Sequence, residues 1–308
     1  MKRRTFLLGA AANAIAQEPP VPVIDTHIHL FDTARPGGVP WPPKDNKALY
    51  MPALPPRYRK IAEPLGIVGA IEVEASPLLE DNQWVLDVAK NEPIIVGTIG
   101  HLEPSQADFR KNLDRFRKNP LFLGIRYGNL WGPDLSDEIG KPEFVTSLKA
   151  VADAGMVLDT ANPNPKLMEA VVRVTDRVPN LRVVLDHLPQ MDPQPAAASL
   201  RELAKRPQVY VKGSSVLRRV DGRVPEDLGF YRGRLDEIFG MFGEDRIVYG
   251  SDWPNSDNWG PYPTVLRIVR EYFTAKGRPI AEKYFWKNSI AAYRWVPRTA
   301  SQKALSGG

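Results

Sequence analysis

Four histidines, each close to the end of a short apolar segment, are the residues best suited to chemistry in this chain of 308 residues: His27, His29, His101 and His187. In the segment Val-Ile-Asp-Thr-His-Ile-His, Asp25, His27 and His29 alternate, so a regular β-strand would turn all three side chains to one face. Two imidazoles on one face can ligate one metal ion or flank one substrate, and neutral imidazole is a good zinc ligand. Alternatively they are core histidines, although two buried imidazoles would then leave several polar groups unmet.

Further polar residues follow other apolar segments. Val-Leu-Asp-His offers Asp186 and His187, and Gly-Ser-Asp-Trp offers Asp252 and Trp253. Asp252 could complete a metal site and take the proton of an activated water, whose pKa a divalent metal lowers from about 15.7 to about 7. It could instead cap a helix after a Ser-Asp turn. The other polar residues at segment ends are Glu72, Glu74, Arg126, Tyr127, Asp159 and Lys212.

Two of these residues are cations with two possible uses. Arg126 and Lys212 could hold an anionic substrate group such as a carboxylate. They could equally neutralise carboxylates that are buried beside them. The sequence leaves both interpretations open.

Eight short apolar segments, separated by stretches of helical periodicity, must position these residues. The predicted strands are Val21–Asp25, Ile67–Val73, Ile94–Ile99, Leu121–Arg126, Met156–Thr160, Leu181–Asp186, Gln208–Lys212 and Arg246–Gly250. The predicted helices are Ala107–Lys118, Phe144–Ala154, Asn164–Val178, Tyr231–Phe242, Thr264–Ala275 and Ala281–Tyr293. Repeated strand–helix units predict an α/β fold, a single-domain (β/α)8 TIM barrel whose chemistry lies at the C-terminal ends of its strands. A doubly wound open sheet would show a Gly-rich phosphate turn, and the sequence has none.

The regions outside these repeats differ in composition. Residues 30–66 form a long, proline-rich first connection, and such connections are often functional lids. We interpret residues 17–296 as the barrel and residues 297–308 as a loose tail. The absence of cysteine excludes thiol nucleophiles, iron–sulfur clusters and thiolate zinc sites.

Residues 1–16 are typical of a twin-arginine signal peptide. Arg3 and Arg4 precede a short apolar run that ends in Ala14-Ile15-Ala16. The sequence therefore predicts an exported protein, periplasmic or extracellular. Removal of this basic segment brings the net charge of +5 closer to balance, which gives no case for nucleic acid as a partner. No segment is long and apolar enough to span a membrane.

Together these motifs resemble the amidohydrolase superfamily, in particular its amidohydrolase-related branch of sugar-lactone and pyrone-dicarboxylate lactonases and some decarboxylases. The resemblance covers about residues 21–296. It lies in Val23-Ile24-Asp25-Thr26-His27-Ile28-His29, Leu185-Asp186-His187 and Gly250-Ser251-Asp252-Trp253-Pro254, and, for the lactonase group, in Gly124-Ile125-Arg126 and Lys212-Gly213-Ser214. It implies that His27 and His29 are a metal-binding pair, that His187 is the strand-six histidine, and that Asp252 is a proton shuttle and metal ligand.

One departure from the family limits the metal content. Many members carry a carboxylated lysine at strand four and a histidine at strand five, where this chain has Arg126-Tyr127 and Asp159-Thr160. A two-metal centre is therefore not expected. The resemblance implies one divalent metal, zinc, at His27, His29 and Asp252, joined by His187 or Glu74, or no metal at all.

The predicted activity is hydrolysis of a lactone, either a sugar lactone or a carboxylated one, by water activated at His27, His29, His187 and Asp252. Stabilisation of the charge on the carbonyl oxygen would come from His187 together with the metal or Arg126. The predicted substrate-binding residues are Arg126, Tyr127, Lys212, Trp253 and His101. Two alternatives stay open: a metal-dependent decarboxylase of the same branch, and a non-catalytic barrel that stacks carbohydrate on Trp41, Trp131, Trp253 and Trp259. The sequence predicts a small-molecule substrate but not which one, nor the oligomeric state.

Overall fold

Eight parallel strands follow one another in the same order along the chain and around the sheet. The computed structural model describes residues 18–161, 163–188 and 194–307. The strands are β1 Val23–Ile28, β2 Ile67–Val73, β3 Ile95–Gly100, β4 Phe122–Arg126, β5 Val157–Asp159, β6 Arg182–Leu185, β7 Val209–Gly213 and β8 Ile247–Tyr249. A parallel bridge between Ile28 and Trp253 joins the end of β1 to the chain after β8. This seam closes the sheet and confirms the predicted (β/α)8 TIM barrel.

The helices surround the barrel and include several that the sequence analysis did not specify. They are α1 Pro55–Ala62, α2 Leu79–Lys90, α3 Phe109–Phe116, α4 Leu135–Glu138, α5 Pro142–Asp153, α6 Pro165–Arg177, α7 Gln194–Ala204, α8 Leu228–Phe242, α9 Tyr262–Thr274, α10 Arg278–Glu282, α11 Asn288–Tyr293 and α12 Ala300–Ser306. Short 3-10 turns at Glu63–Leu65 and Asn255–Asn258 and a π-helical turn at Lys283–Lys287 complete the described elements. Each predicted helix overlaps at least one observed helix.

The start of α6 shows how local sequence sets these elements. Asn164 lies in extended backbone and its side chain accepts a hydrogen bond from the Leu167 backbone N–H at 2.9 Å. Pro165 occupies the first turn, where no backbone donor is needed. Val171 and Val174, one turn apart, are buried against the barrel.

The barrel interior is filled by branched aliphatic side chains from seven of the eight strands. They are Ile24, Ile71, Val73, Val96, Ile99, Leu123, Val157, Val184 and Val248. Tyr293 and Trp295, from the C-terminal end of the chain, belong to the same cluster and close the bottom of the barrel. Burial of each large aliphatic side chain is worth about 1.5–3 kcal/mol, so this interior is a packed core that supports the site above it.

Residues 297–308 are not the loose tail that the sequence suggested, because they contain α12. Thr299 and Gln302 form a reciprocal capping box at the start of this helix. The Gln302 side chain is fully buried, and its amide donates to the carbonyl oxygens of Val68 at 2.8 Å and Pro93 at 3.0 Å. The end of the chain is therefore docked beneath β2 and β3.

The first connection is ordered rather than a simple loop. Its last part forms α1, and its base is closed by two backbone hydrogen bonds between Phe31 and Ala53, at 3.1 and 2.9 Å. Arg35 donates two hydrogen bonds, at 2.7 and 2.8 Å, to the carboxylate of Asp81 on α2. This connection is thereby tied to the rim of the barrel.

The prediction of an exported, periplasmic or extracellular protein is wrong as it stood. The segment on which it rested, residues 1–16, lies outside the described residues. The described residues build a compact barrel that carries no feature of export. A separate prediction concerned the membrane, and within the described ranges no helix has both the length and the apolar character needed to cross one.

Candidate active site

The end of β1 carries His27 and His29, and an irregular register turns both imidazoles into the barrel. The register between β1 and β2 shifts twice, once between Val23 and Ile24 and once between Asp25 and Ile28. Below this shift Ile24 lies in the barrel interior, whereas Ile28 packs in the outer core. The prediction that Asp25 shares an inward face with both histidines is therefore wrong, because strict alternation does not cross the irregularity.

Asp25 instead faces the surrounding helices and pins the seam between β1 and the chain after β8. Its Oδ2 accepts hydrogen bonds from the hydroxyls of Tyr58 at 2.9 Å and Tyr262 at 2.8 Å. Its Oδ1 accepts from the backbone N–H of Ser251 at 2.8 Å and of His27 at 3.2 Å. This buried carboxylate holds the two strand ends that carry the candidate site in a fixed relation.

Three polar atoms converge where β1 meets the end of β8. The Nε2 atoms of His27 and His29 lie 3.3 Å apart. The Oδ1 atom of Asp252 lies 3.2 Å from His29 Nε2 and 3.6 Å from His27 Nε2. All three residues are buried, and they form the group of potential metal ligands found among the described residues.

These atoms fit a divalent cation. His29 Nδ1 lies 2.7 Å from the carbonyl oxygen of Val73, which can only accept, so Nδ1 carries a proton and Nε2 is the nitrogen that can offer a lone pair to a metal. Burial, followed by the charge of Lys212, holds the pKa of His27 well below its ordinary value, which favours a neutral ring. A tetrahedral zinc ion with bonds of about 2.0–2.1 Å separates its ligand atoms by about 3.4 Å. The observed distances of 3.2 to 3.6 Å match that spacing.

Both oxygens of the Asp252 carboxylate have polar partners. Burial raises its pKa, but His187 and His29 outweigh burial and lower the pKa to about 2, so the group is ionised at neutral pH. Its Oδ2 accepts hydrogen bonds from Asn255 at 2.8 Å and from Ser215 at 2.9 Å. Asp252 can therefore bind a cation through one oxygen while the other is fixed.

His187 follows β6 and packs beside the pair from β1. Its ring centroid lies 5.0 Å from that of His27, with the two planes inclined by 32°. Burial lowers the pKa of His187, although Asp252 and Asp186 act in the opposite direction. Its Nδ1 lies 3.0 Å from the hydroxyls of both Ser214 and Ser215. The structure thus brings together all four residues to which the sequence assigned water activation.

Lys212 and Arg126 are engaged with buried carboxylates. Lys212 Nζ lies 2.8 Å from Asp159 and 2.7 Å from Asp186, with all three side chains fully buried. Arg126 pairs with Glu74 at 2.7 Å and lies 3.6 Å from Asp186. Of the two interpretations that the sequence left open, this arrangement matches neutralisation of buried carboxylates.

The other predicted site residues lie away from the converging atoms. Glu74 accepts hydrogen bonds from Arg126 and from the Trp131 indole, at 2.7 Å each, and is not in the metal-ligand group. The Tyr127 hydroxyl donates to the Pro133 carbonyl at 2.9 Å. Trp253 is fully buried against Tyr58, and its indole N–H lies away from solvent.

His101 also stands apart. It follows β3 on the side of the barrel that carries Glu74 and Arg126, and it lines a separate recess with Glu103 and Phe109. Burial lowers its pKa. The structure places it outside the converging group.

An open cavity of about 670 Å³ adjoins His187 and contains residues that the sequence analysis missed. Ser215, Arg218 and Asn255 line it. All three follow β7 or β8, so their position after a strand end was the available signal. Trp259, which the sequence did single out, lines the same cavity and is 42% exposed.

Two arginines, Arg218 and Arg219, line this cavity. Arg219 donates to the carbonyl oxygens of Gly222 at 3.0 Å and Asn258 at 3.2 Å, whereas within the described ranges the Arg218 guanidinium makes no hydrogen bond and no ion pair. Burial together with the charge of Arg218 lowers the pKa of Arg234 to about 10. Arg218 therefore presents guanidinium N–H donors to this cavity.

The His-x-His pair at the end of β1 and the aspartate after β8 lie at the C-terminal ends of the barrel strands, where (β/α)8-barrel enzymes have their active sites. The chain belongs to the family described as Amidohydrolase, whose model matches residues 24–295. The family resemblance drawn from the motifs is thereby confirmed.

Two curated relatives are similar over most of the chain. An L-fucono-1,5-lactonase of Burkholderia ambifaria is 28% identical over 244 residues, which cover 76% of this chain and 80% of that protein. An L-fucono-1,5-lactonase of Burkholderia multivorans is 23% identical and covers 91% of this chain and 98% of its own length. Among solved structures, an amidohydrolase of Burkholderia multivorans with bound zinc superposes with a TM-score of 0.79 at 21% identity, over 89% of this chain and 99% of that one. At that identity the superposition shows the shared fold.

Proposed function

We propose that this chain hydrolyses lactones with a single divalent metal, zinc, held by His27, His29 and Asp252. The observation that carries the proposal is the convergence of two imidazole nitrogens and one carboxylate oxygen within 3.6 Å, beside an open cavity. The two relatives named L-fucono-1,5-lactonase support the same class of reaction. The substrate is a small molecule, as the sequence predicted.

Each residue of this group has a defined task. A divalent metal, when bound there, supplies Lewis acidity that polarises a carbonyl and makes water nucleophilic near neutral pH. His27 and His29 present ring nitrogens in a buried setting, where few waters compete with them. The ionised carboxylate of Asp252 accepts the proton of the attacking water, and its fixed Oδ2 keeps the group oriented.

The reaction is a ring opening in which water adds to the carbonyl carbon and the bond from that carbon to the ring oxygen breaks. The proton taken by Asp252 is returned to the departing ring oxygen, so the product is a hydroxy acid. An ester oxygen is a modest leaving group that needs little further assistance. The one carboxylate beside the histidine pair therefore suffices for both proton transfers.

The substrate is held in the cavity beside His187. Arg126 and Lys212 are occupied by carboxylates, whereas Arg218 presents a guanidinium with up to five N–H donors. This group suits either the hydroxyls of a sugar lactone or the carboxylate of an acidic one. Trp259 offers an aromatic face in the same cavity, suited to the apolar face of a sugar ring.

The test is turnover of a lactone panel by the purified full chain, after elemental analysis for bound metal and with or without added zinc. The panel contains L-fucono-1,5-lactone, other sugar lactones and a carboxylated pyrone lactone, with acid release followed by a pH indicator. Asp252→Asn should lower kcat by about 10²–10⁴-fold, as expected for loss of a general base. Asp257→Asn is the matched control, because this aspartate lies on the adjoining turn and pairs with Arg57 outside the site.

Three outcomes would contradict the proposal. One is failure to open any lactone with or without zinc. Another is release of CO2 from aromatic or enoic acids without addition of water, which would identify a decarboxylase of the same family. Ligand binding that survives Asp252→Asn, with no turnover by the wild type, would indicate a non-catalytic carbohydrate-binding barrel.

A further inference from the structure

The hydroxyl of Ser215 bridges two residues of the candidate site. Its Oγ lies 2.9 Å from Asp252 Oδ2 and 3.0 Å from His187 Nδ1. The three residues follow β7, β8 and β6 respectively, so three successive strand ends meet at this one hydroxyl. Nothing in the family motifs pointed to Ser215.

All three residues have left-handed backbone. The φ angles are +65° for His187, +52° for Ser215 and +62° for Asp252. A non-glycine residue in this region costs about 1–3 kcal/mol, and it persists only where its surroundings hold it in place. Three such residues in mutual contact show that the geometry of this bridge is maintained against local strain.

The positions of the protons on this bridge follow from what each atom can do. Asp252 Oδ2 already accepts from the Asn255 amide at 2.8 Å and is an acceptor here, so at 2.9 Å the single hydroxyl proton of Ser215 must lie toward Asp252. Ser215 Oγ then presents a lone pair to His187 Nδ1 at 3.0 Å. Two lone pairs at that distance would repel each other, so Nδ1 must carry a proton and donate it.

We infer that Ser215 is a positioning residue that fixes the tautomer of His187, keeping the proton on Nδ1 and leaving the neutral ring with a lone pair at Nε2. The inference rests on the proposed lactone hydrolysis for its kinetic consequence but not for the tautomer itself. It also revises the expected task of His187. With no proton at Nε2, the neutral ring accepts a proton or binds a cation there, and it cannot donate a hydrogen bond to the carbonyl oxygen.

The adjacent serine provides a matched comparison. Ser214 Oγ also lies 3.0 Å from His187 Nδ1, but among the described residues its hydroxyl donates to no carboxylate. With Ser215 present, Ser214 can only accept from Nδ1. When the hydroxyl of Ser215 is removed, Ser214 becomes the one hydroxyl at Nδ1 and is free to donate, which favours the tautomer with the proton on Nε2.

The tautomer is measured directly by long-range 1H–15N correlation spectra of the zinc-loaded full chain. With four histidines in the sequence, His187 is assigned by the loss of its signals in His187→Gln. The wild type and Ser214→Ala should show the pattern of a proton on Nδ1. Ser215→Ala and Ser215→Gly should show a substantial population with the proton on Nε2.

Kinetic measurements on the same variants test whether the tautomer of His187 affects turnover. Removal of a group that orients an active-site histidine lowers activity by about 10–100-fold, and we expect a loss of that size in kcat for Ser215→Ala and Ser215→Gly, with KM little changed. Ser214→Ala should lose less. Glycine adopts a φ of +52° without strain, so Ser215→Gly relieves backbone strain that Ser215→Ala retains, and thermal unfolding of both variants separates a loss of activity from a loss of fold.

Three results would overturn the inference: a wild-type His187 with its proton on Nε2, Ser215 variants with wild-type kcat, or Ser215 variants that lose kcat while the tautomer stays unchanged. Because the spectra need no substrate, failure to find any lactone turnover would remove the proposed function and leave the tautomer assignment standing.

Discussion

Replacement of Lys212 by methionine tests whether this lysine is a structural cation or a cation that binds substrate. Lys212 Nζ lies 2.8 Å from Asp159 and 2.7 Å from Asp186, and the Tyr293 hydroxyl donates to Asp159 at 2.9 Å. None of the three charged side chains is exposed to solvent. Lys212→Met keeps most of the length of the side chain but leaves two buried carboxylates without their counter-ion.

The size of the expected destabilisation follows from the burial of these three charges. Breaking a buried pair by removing one partner costs about 3–5 kcal/mol, because an uncompensated charge is left behind. For a chain of this size, about 2 °C of Tm per kcal/mol gives a fall in Tm of about 6–10 °C. The triple variant Lys212→Met, Asp159→Asn, Asp186→Asn removes all three charges and should regain most of that stability.

The loss of stability in Lys212→Met should also depend on pH. Burial raises the pKa of Asp159 even while Lys212 lowers it, so without Lys212 the pKa in the folded chain must rise further. A carboxyl whose pKa is raised in the folded state loses stability as pH rises above its unfolded value of about 3.9. The deficit of Lys212→Met should therefore be small near pH 4 and grow toward neutral pH.

The assay is thermal unfolding between pH 4 and pH 8 together with lactone turnover. Lys205→Met is the matched control, since Lys205 is an exposed lysine paired with Glu202 on α7 and should leave Tm unchanged. A Lys212→Met protein with wild-type Tm and strongly reduced turnover would refute the reasoning and assign Lys212 to the substrate instead. If the single variant is insoluble while the triple variant is soluble, the reasoning stands.

Three further outcomes are expected. Zinc should raise the Tm of the wild type but not of His29→Ala, because binding to the folded state stabilises it; an equal shift in both would contradict the assigned ligand. Arg218→Gln should lower kcat/KM for an acidic lactone by about 10-fold or more, as for loss of a charge-assisted hydrogen bond, and less for a neutral one; equal losses would remove Arg218 from substrate recognition. Gln302→Ala should destabilise the barrel by about 1–3 kcal/mol in thermal unfolding, because two buried carbonyls lose their donor; an unchanged Tm would mean that α12 is not docked.

Much of the barrel was predictable because its signals are local. Each strand is a short apolar run, and the C-terminal ends of parallel strands in a barrel share one face. His27, His29, His187 and Asp252 therefore could be placed together from sequence alone. The helix at the end of the chain also had a local signal, since Thr299-x-x-Gln302 is a capping box that the sequence analysis overlooked.

The errors arose where a local pattern depends on distant residues. Alternation along β1 could not show the register shift, because the shift exists only in the pairing of β1 with β2. The sequence could not choose between the two uses of Arg126, because its partner Glu74 lies 52 residues away in the chain. The bridging role of Ser215 was invisible because it depends on the contact with Asp252, which is set by the closure of the barrel.

The seam between β1 and β8 joins residues that are synthesised far apart in time. His29 and Asp252 touch at 3.2 Å yet are separated by 223 residues of chain. At about 5–20 residues per second of synthesis, the histidine half of the site leaves the ribosome roughly 11–45 s before its carboxylate. Throughout that interval the nascent chain holds the histidine pair without Asp252. The contact between His29 and Asp252 therefore requires the chain after the last strand to join the first strand.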